Sequence, residues 1–484
     1  MGQSDCASLV ACYVPNMSGQ SSESIQSDAP HTAAQKLAQH VASTTLADLP
    51  PEAIQAVRNF TLDLIGVGIA GTRSPYAEGV RQAAAKWGDG TQANVFATGE
   101  ALPAPHAAFV NAFQAHALEF DCVHEGAVLH PFTVVVPVLL AEAQRVGLRG
   151  ERYVSAAAIG VDVAAGLGVA AKSQIRFFRP ATCGLFGAVA ALSHARGLSG
   201  DQTAHAFGYA LAFASGTMQA HVEGTPALAA SVAGAARSAF VAVDLVEAGL
   251  PGPMGSIDGP FGYLSLFERD TALEPVMASL GQIWRAAEVS WKPFPSGRAS
   301  HGGIDMIQYL ARQGLTADNL DHLTISAPPL IHHLVGRPIA PPPLEVNYAR
   351  LCLPYVGAIA LTKGDVGLTD FTADRLNDPA IHALAARIQV VVNEVTEASS
   401  FVPQSARAVL KDGRVLEVAI DKLLGTPQRP LSRQAHLAKF RACCAFGFGR
   451  ANLELEDALI EATDHLTELI DVGLLGRLAA GILS

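Results

Sequence analysis

The 484-residue sequence is short of charge: Asp, Glu, Lys and Arg make up 16 % of it, against 50 % hydrophobic residues. Most faces of most elements must therefore meet other protein, and subunit contact would cover part of the apolar surface. Runs of Lys and Arg are missing, and the formal net charge is -11. Nucleic-acid phosphates and anionic membrane surfaces would both repel such a chain, so neither is expected as a partner. The seven cysteines are an odd set with no C-x-x-C spacing and no zinc pattern, which speaks against a disulfide framework and for a reducing, cytoplasmic setting. Long apolar runs are absent too. The window "AAAIGVDVAAGLGVAA" at 156–171 contains Asp162 and several glycines and falls short of the roughly 20 apolar residues a bilayer requires, so it is read as a buried helix. Residues 1–30 are Ser- and Gln-rich and lack the basic start and apolar centre of a secretory signal; they are expected to be disordered, with Met17 a candidate start.

Familiar nucleotide and hydrolase signatures are also wanting. No Walker loop, G-x-S-x-G elbow or H-E-x-x-H motif occurs. "GVGIAG" at 66–71 fits G-x-G-x-x-G, but it ends a helical pattern instead of following a strand, so helix packing accounts for its glycines better than dinucleotide binding does.

What is present is helical texture. From residue 31 apolar residues recur at three- and four-residue steps, predicting helices over 33–44, 51–69, 103–119, 132–147, 151–171, 183–196, 201–214 and 227–248. Ser199 is placed to cap one of them, and Pro51 to open another where no amide donor is needed. Beyond "SWKPFPSGRASHGG" the texture changes to β-branched runs at 322–327, 387–393 and 406–420, the last being two strands around Asp412-Gly413, with helices at 302–313 and 355–364. Helical patterns return at 432–446 and 452–475. The expected architecture is mainly α: a large all-helical domain formed by 31–285 and 426–484, with a smaller α+β lid domain, 286–425, inserted between them.

Three stretches concentrate chemistry in this apolar chain. "LEFDCVHEGAVLHP" sets Glu119, Asp121, His124, Glu125 and His130 between two predicted helices, where a loop can aim them into a cleft. A solvated helix junction is the competing reading. A metal site ranks lower, because two histidines and three carboxylates suit several ions and identify none. "SWKPFPSGRASHGGID" carries Lys292, Arg298 and His301 at the boundary between helical and mixed segments, suited to holding carboxylates. Arg179, Thr182, His221 and Glu223 precede apolar helices, where helix-start chemistry explains some of them.

Taken in order, "TLDLIGVGIAG", "NAFQAHALEFDCVHEGAVLHP", "RPATCGLFGA", "GPFGYLSLF", "KPFPSGRASHGGIDM" and "ARLCLPYVGAIAL" resemble the MmgE/PrpD family, which includes 2-methylcitrate dehydratases, cis-aconitate decarboxylases and iminodisuccinate epimerases. The resemblance runs from about residue 31 to the end. It implies the helical domain and lid, a homodimer, no metal or organic cofactor, and a cleft for small di- or tricarboxylates. The reaction it implies is a dehydratase or decarboxylase one, with epimerisation or a silent carboxylate-binding homologue as alternatives. Carried over by position, the acidic residues are Glu119 and Asp121, the H-P histidine is His130, the lysine before the aromatic-Pro pair is Lys292 and the histidine after it His301. These five are the expected catalytic residues. His124, Arg179, His221 and Arg298 are expected to bind substrate. The family's second aspartate, its threonine and its F-H-P histidine are here Cys122, Val123 and Arg179, and no lysine occurs in 218–231; His221 or Arg179 would replace that cation.

Overall fold

The apolar spacing that predicts helices is satisfied by burying whole helices in layers. A computed structural model describes residues 32–397 and 399–483; the expectations for residues 1–30 lie outside the described residues. Ten helices lead the chain: α1 (Ala33–Ser43), α2 (Pro51–Gly71), α3 (Ala77–Ala85), α4 (Ala104–His116), α5 (Pro131–Val146), α6 (Gly150–Ala170), α7 (Arg179–Arg196), α8 (Gly200–Phe213), α9 (Gln219–Glu223) and α10 (Ala227–Glu247). The start signals act as the residues suggest: Ser199 accepts from the Gln202 amide in a capping box, and Pro51 occupies the first turn of α2. Two strands, β1 (Ala93–Asn94) and β2 (Ala101–Leu102), form a short antiparallel pair between α3 and α4.

Glycine decides how closely the central helices approach. A Cβ on Gly187 of α7 would lie 2.4 Å from the Gly160 carbonyl oxygen of α6, and one on Gly71 would lie 1.9 Å from the Gln114 carbonyl of α4. The glycines of "GVGIAG" thus serve packing: Gly66 faces Phe440 and Gly68 faces Phe96. α6 and α10 are apolar and long enough to cross a membrane, but the apolar window of α6 is 94 % buried within the protein.

A second apolar core runs from Phe294 to Leu423. It is built on a four-stranded sheet of order β4-β3-β5-β6, with β3 (Leu320–Ala327), β4 (Ile388–Val392), β5 (Gln404–Leu410) and β6 (Val415–Ile420). β3 is parallel to β4, with Ile325 opposite Val390, and antiparallel to β5, with Thr324 opposite Arg407. β5 and β6 form the hairpin, where Gly413 supplies φ 85°. The helices His301–Arg312 and Leu353–Lys363 pack together beside this sheet. The chain then returns to the first core: the helix Arg433–Phe448 lies along α2, and Gly473–Ala479 against α5. The helix expected at 452–475 is interrupted, as Leu453–Asp464, a 3-10 turn at Leu466–Glu468, and Gly473–Ala479. The mainly α architecture expected from the sequence is the one the chain adopts.

Candidate active site

The site begins where α4 stops. His116 is its last residue, and Glu119 then takes a left-handed φ of 52°, which turns the chain so that Glu119 and Asp121 point inward. Two isolated bridges pin the loop beyond this turn: Val123 pairs with Ser290, and His124 with Leu129. The first places Lys292 beside the 119–121 turn. The second closes a loop in which Val128 also has φ 52°, a strained value for a β-branched residue. His130 then precedes Pro131, which opens α5.

Asp121 is the hub. Its Oδ2 accepts from Thr133 Oγ1 at 2.6 Å and lies 2.9 Å from His116 Nδ1 and 3.2 Å from His130 Nδ1. Lys292 Nζ is 3.8 Å from the other oxygen. His130 Nδ1 is also 2.8 Å from the Cys122 carbonyl oxygen, which only accepts, so Nδ1 carries the proton. Its Nε2, with no hydrogen-bond partner among the described residues, is left to the cavity that His130 lines.

Lys292 is fully buried and donates to Glu119 Oε2 at 2.9 Å and to the Glu119 carbonyl at 3.2 Å. Burial would raise both carboxyls, but Lys292, His116 and His130 together outweigh it for Glu119, and His130, His116 and Lys292 do so for Asp121; both stay below their ordinary range. Burial would likewise lower His116, and the neighbouring Asp121 and Glu119 reverse that, so His116 titrates above the usual imidazole value. Behind the turn, Lys439 Nζ pairs with Asp63 Oδ1 at 2.8 Å and donates to the Phe120 carbonyl at 2.9 Å.

Glu119 and His130 form one wall of a cavity, with Arg179, His221 and Arg298 also on its surface. The rest of the lining is mostly hydrocarbon, including Ile175, Phe178, Met218, Leu334 and Phe401. Arg179 opens α7 and is held in a two-point pair by Glu268, Nε to Oε1 at 3.0 Å and Nη2 to Oε2 at 3.1 Å. Arg298 Nε donates to Glu125 Oε1 at 2.8 Å and its Nη1 to the Leu424 carbonyl at 2.8 Å. Its Nη2 is buried without a partner among the described residues. His221 is pushed down to about 4, by burial first and then by Arg337, whose Nη2 lies 3.3 Å from His221 Nδ1.

Seven of the nine expected residues therefore converge: Glu119, Asp121, His130 and Lys292 in one buried cluster, with Arg179, His221 and Arg298 around the adjoining cavity. His124 and His301 do not. His124 Nε2 is engaged by Glu288 Oε2 at 2.9 Å and its Nδ1 accepts from the Ala127 amide; it faces a separate open groove with Asp421 and Lys422. His301 packs against the Phe294 ring, with Nδ1 3.3 Å from Arg298 Nη1 and Nε2 3.2 Å from the Ser296 carbonyl, and is absent from the cavity wall. Burial and then Arg298 hold it well below the imidazole range, and both its ring nitrogens are engaged by neighbouring groups.

Sequence reading missed His116, Thr133, Glu268 and Arg350. Arg350 is buried, with Nη1 on the Ala117 carbonyl at the end of α4. His116 was within reach of the sequence, since "HALEFD" sets it three and five residues before the two acids. The ring nitrogens of His116 and His130 and the Asp121 carboxylate also lie within 4.8 Å of one another, the one group of metal-ligand spacing among the described residues. They suit a cation poorly: Thr133 donates to the carboxylate, His130 Nδ1 holds a proton against Cys122, and the Lys292 ammonium stands beside Asp121.

A mainly helical body, a second α+β core and a buried acid–histidine–lysine cluster beside a largely apolar cavity are the features by which the chain is placed among known proteins. The chain belongs to the MmgE/PrpD family: residues 35–276 match the MmgE/PrpD N-terminal domain and residues 294–464 the MmgE/PrpD C-terminal domain. It is similar to a cis-aconitate decarboxylase of Mus musculus, 26 % identical over 448 residues, 88 % of this chain and 89 % of the relative. A cis-aconitate decarboxylase of Homo sapiens is 25 % identical over 450 residues, 90 % and 91 % of the two chains. One of Aspergillus terreus is 22 % identical over 448 residues, 87 % and 91 %.

Proposed function

We propose that this chain is a lyase acting on a small di- or tricarboxylic acid of the 2-methylcitrate and aconitate type, with decarboxylation the reaction favoured by its relatives. The observation that carries the reading is His130: Nδ1 is fixed by Cys122 and Asp121, and Nε2 is left to a cavity shared with Glu119 and two arginines. A substrate carboxylate would take the unpartnered Arg298 Nη2. When the bond to the departing carboxylate breaks, its electron pair stays on carbon and spreads into the adjacent unsaturated acid. Protonated His130 gives the Nε2 proton to that carbon, carbon dioxide leaves, and the neutral imidazole regains a proton from water. Lys292 and His116 keep Glu119 and Asp121 ionised, which holds His130 in place. In the dehydratase alternative, neutral His130 removes the proton next to a carboxylate and a second group protonates the leaving hydroxyl.

The test is a panel of 2-methylcitrate, citrate, cis-aconitate, malate and succinate, followed for unsaturation and gas release, with His130→Asn as control. Turnover of one unsaturated or hydroxylated acid is expected, falling by about 10²–10⁴-fold in the variant. A folded His130→Asn protein with undiminished turnover would exclude the role of His130. Silence across the panel, with melting still raised by an acid, would make the chain a carboxylate-binding homologue.

A further inference from the structure

His221 lines the cavity without supplying a charge there. Burial and then Arg337 push its imidazole down to about 4, against the pull of Glu119 and with a smaller push from His333. It is therefore no substitute for a lysine. The hydrogen bonds around it say which nitrogen holds the proton. Arg337 Nη2 lies 3.3 Å from His221 Nδ1 and 3.3 Å from the His221 carbonyl oxygen. A guanidinium only donates, so Nδ1 is the acceptor, and the single proton of the neutral ring is on Nε2. Nε2–H has no hydrogen-bond partner among the described residues, on a side chain that the cavity touches.

Arg337 is itself fixed. It lies over the Tyr348 ring, 5.0 Å from the centroid, donates to the Leu334 carbonyl at 3.4 Å and pairs with no carboxylate among the described residues. Tyr348 donates in turn to the Pro338 carbonyl at 2.8 Å. The helix α9, which carries His221, ends at Gly224, where a Cβ would stand 3.0 Å from the Tyr348 amide nitrogen. The ring and its guanidinium are thus docked on one tyrosine. A neutral N–H held in this way gains strength as negative charge gathers on the oxygen it faces, since the hydrogen bond then becomes charge-assisted.

We infer that His221 is a neutral hydrogen-bond donor, through Nε2–H, to the carboxylate oxygen over which the electron pair of the broken bond spreads, and that Arg337 is the positioning residue that fixes this tautomer. No proton moves in this contact: Nε2 keeps its hydrogen while His130 supplies the one that reaches carbon. The inference rests on the lyase reading for the identity of the oxygen, whereas the tautomer is independent of it.

Imidazole nitrogen-15 spectra of the full chain, labelled at histidine and assigned by the signal lost in His221→Phe or His221→Gln, read the tautomer without turnover. A neutral ring protonated on Nε2 is expected at pH 7 and still at pH 5.5, and Arg337→Met is expected to raise the pH at which it charges. With the panel acid that the natural chain converts, His221→Phe should lower kcat by about 10²–10³-fold and change KM far less. Arg337→Met should lower kcat about tenfold at pH 7.5. Its ratio to the natural chain should recover on acidification, because the freed ring becomes an imidazolium that donates from both nitrogens. Arg337→Lys, which still donates to Nδ1, should keep most of the activity. Damage to the fold would not mend with acid. A ring protonated on Nδ1 or charged at pH 7, a folded His221→Phe protein with undiminished kcat, or an Arg337→Met deficit equal at every pH would each overturn the inference while leaving the lyase in place. Silence of the natural chain on every acid sinks the lyase reading instead. The donor role then stands if added cis-aconitate or 2-methylmaleate moves the Nε2 signal, and falls if neither does.

Discussion

Replacing Lys292 by methionine keeps most of the side-chain volume and deletes one charge. The ammonium lies 2.9 Å from Glu119 Oε2 and 3.8 Å from Asp121 Oδ1, with no exposure to solvent. At an effective dielectric of about 20 the nearer contact alone is worth roughly 6 kcal/mol of attraction. Desolvation of the ammonium offsets part of this, and removing one member of a buried pair typically costs ~3–5 kcal/mol. Lys292→Met is therefore expected to lose about that much stability at pH 7.5, a large share of the ~5–15 kcal/mol of an ordinary domain.

The pH dependence gives the cause away. In the natural chain the Glu119 carboxyl sits below its ordinary value of 4.5, because Lys292 and the histidines outweigh burial. Its stabilisation is complete above that value and is lost as pH falls further. Without Lys292 burial prevails and the carboxyl rises, so the variant regains stability when acidified from 7.5 to 5 while the natural chain stays flat in this respect. Urea unfolding followed by circular dichroism at both pH values measures the difference, and Lys292→Met with Glu119→Gln should recover much of the loss. A single variant within about 1 kcal/mol of the natural chain, or an equal deficit at both pH values, would refute the assignment of Lys292 as the charge that holds Glu119 ionised.

His116 titrates above its ordinary 6.5 because Asp121 and Glu119 overcome burial; its contribution is full below 6.5 and lost as pH rises through the folded value. His116→Gln should therefore flatten the fall in melting midpoint between pH 6 and 9. Gly187→Ala forces a methyl to 2.4 Å from the Gly160 carbonyl and should cost ~1–3 kcal/mol by denaturant unfolding, whereas Gly79→Ala in α3, where nothing lies within 4 Å, should gain ~0.5–1 kcal/mol. Light scattering should give about twice the chain mass of 50.4 kDa, the homodimer expected from the family resemblance.

The helices were legible because their signal is local. Apolar residues three and four apart must share a face, and each of the eight early spans appears within a few residues of its expected limits. The exception that matters is α4, expected to 119 and ending at His116: Asp121 draws in two imidazoles and Lys292, and Glu119 leaves helical geometry to allow it. That outcome depends on partners up to 173 residues away, as with Lys292 and Glu119. The same distance in sequence hid Glu268, 89 residues from Arg179. His124 and His301 misled for the converse reason. Both sit beside residues that do converge, yet a turn aims His124 at Glu288, and helix packing aims His301 at Phe294. Local spacing says which residues share a loop and leaves open which way each one faces.

Val128 lines the cavity while holding a backbone angle that suits glycine or asparagine. A search for heat-resistant variants would find that position early, since relaxing it is worth on the order of 1 kcal/mol. The sturdier proteins so obtained would lack an isopropyl group from the chamber lining, and their discrimination among acids would slacken as their melting point climbed. Durability and selectivity meet at this one side chain.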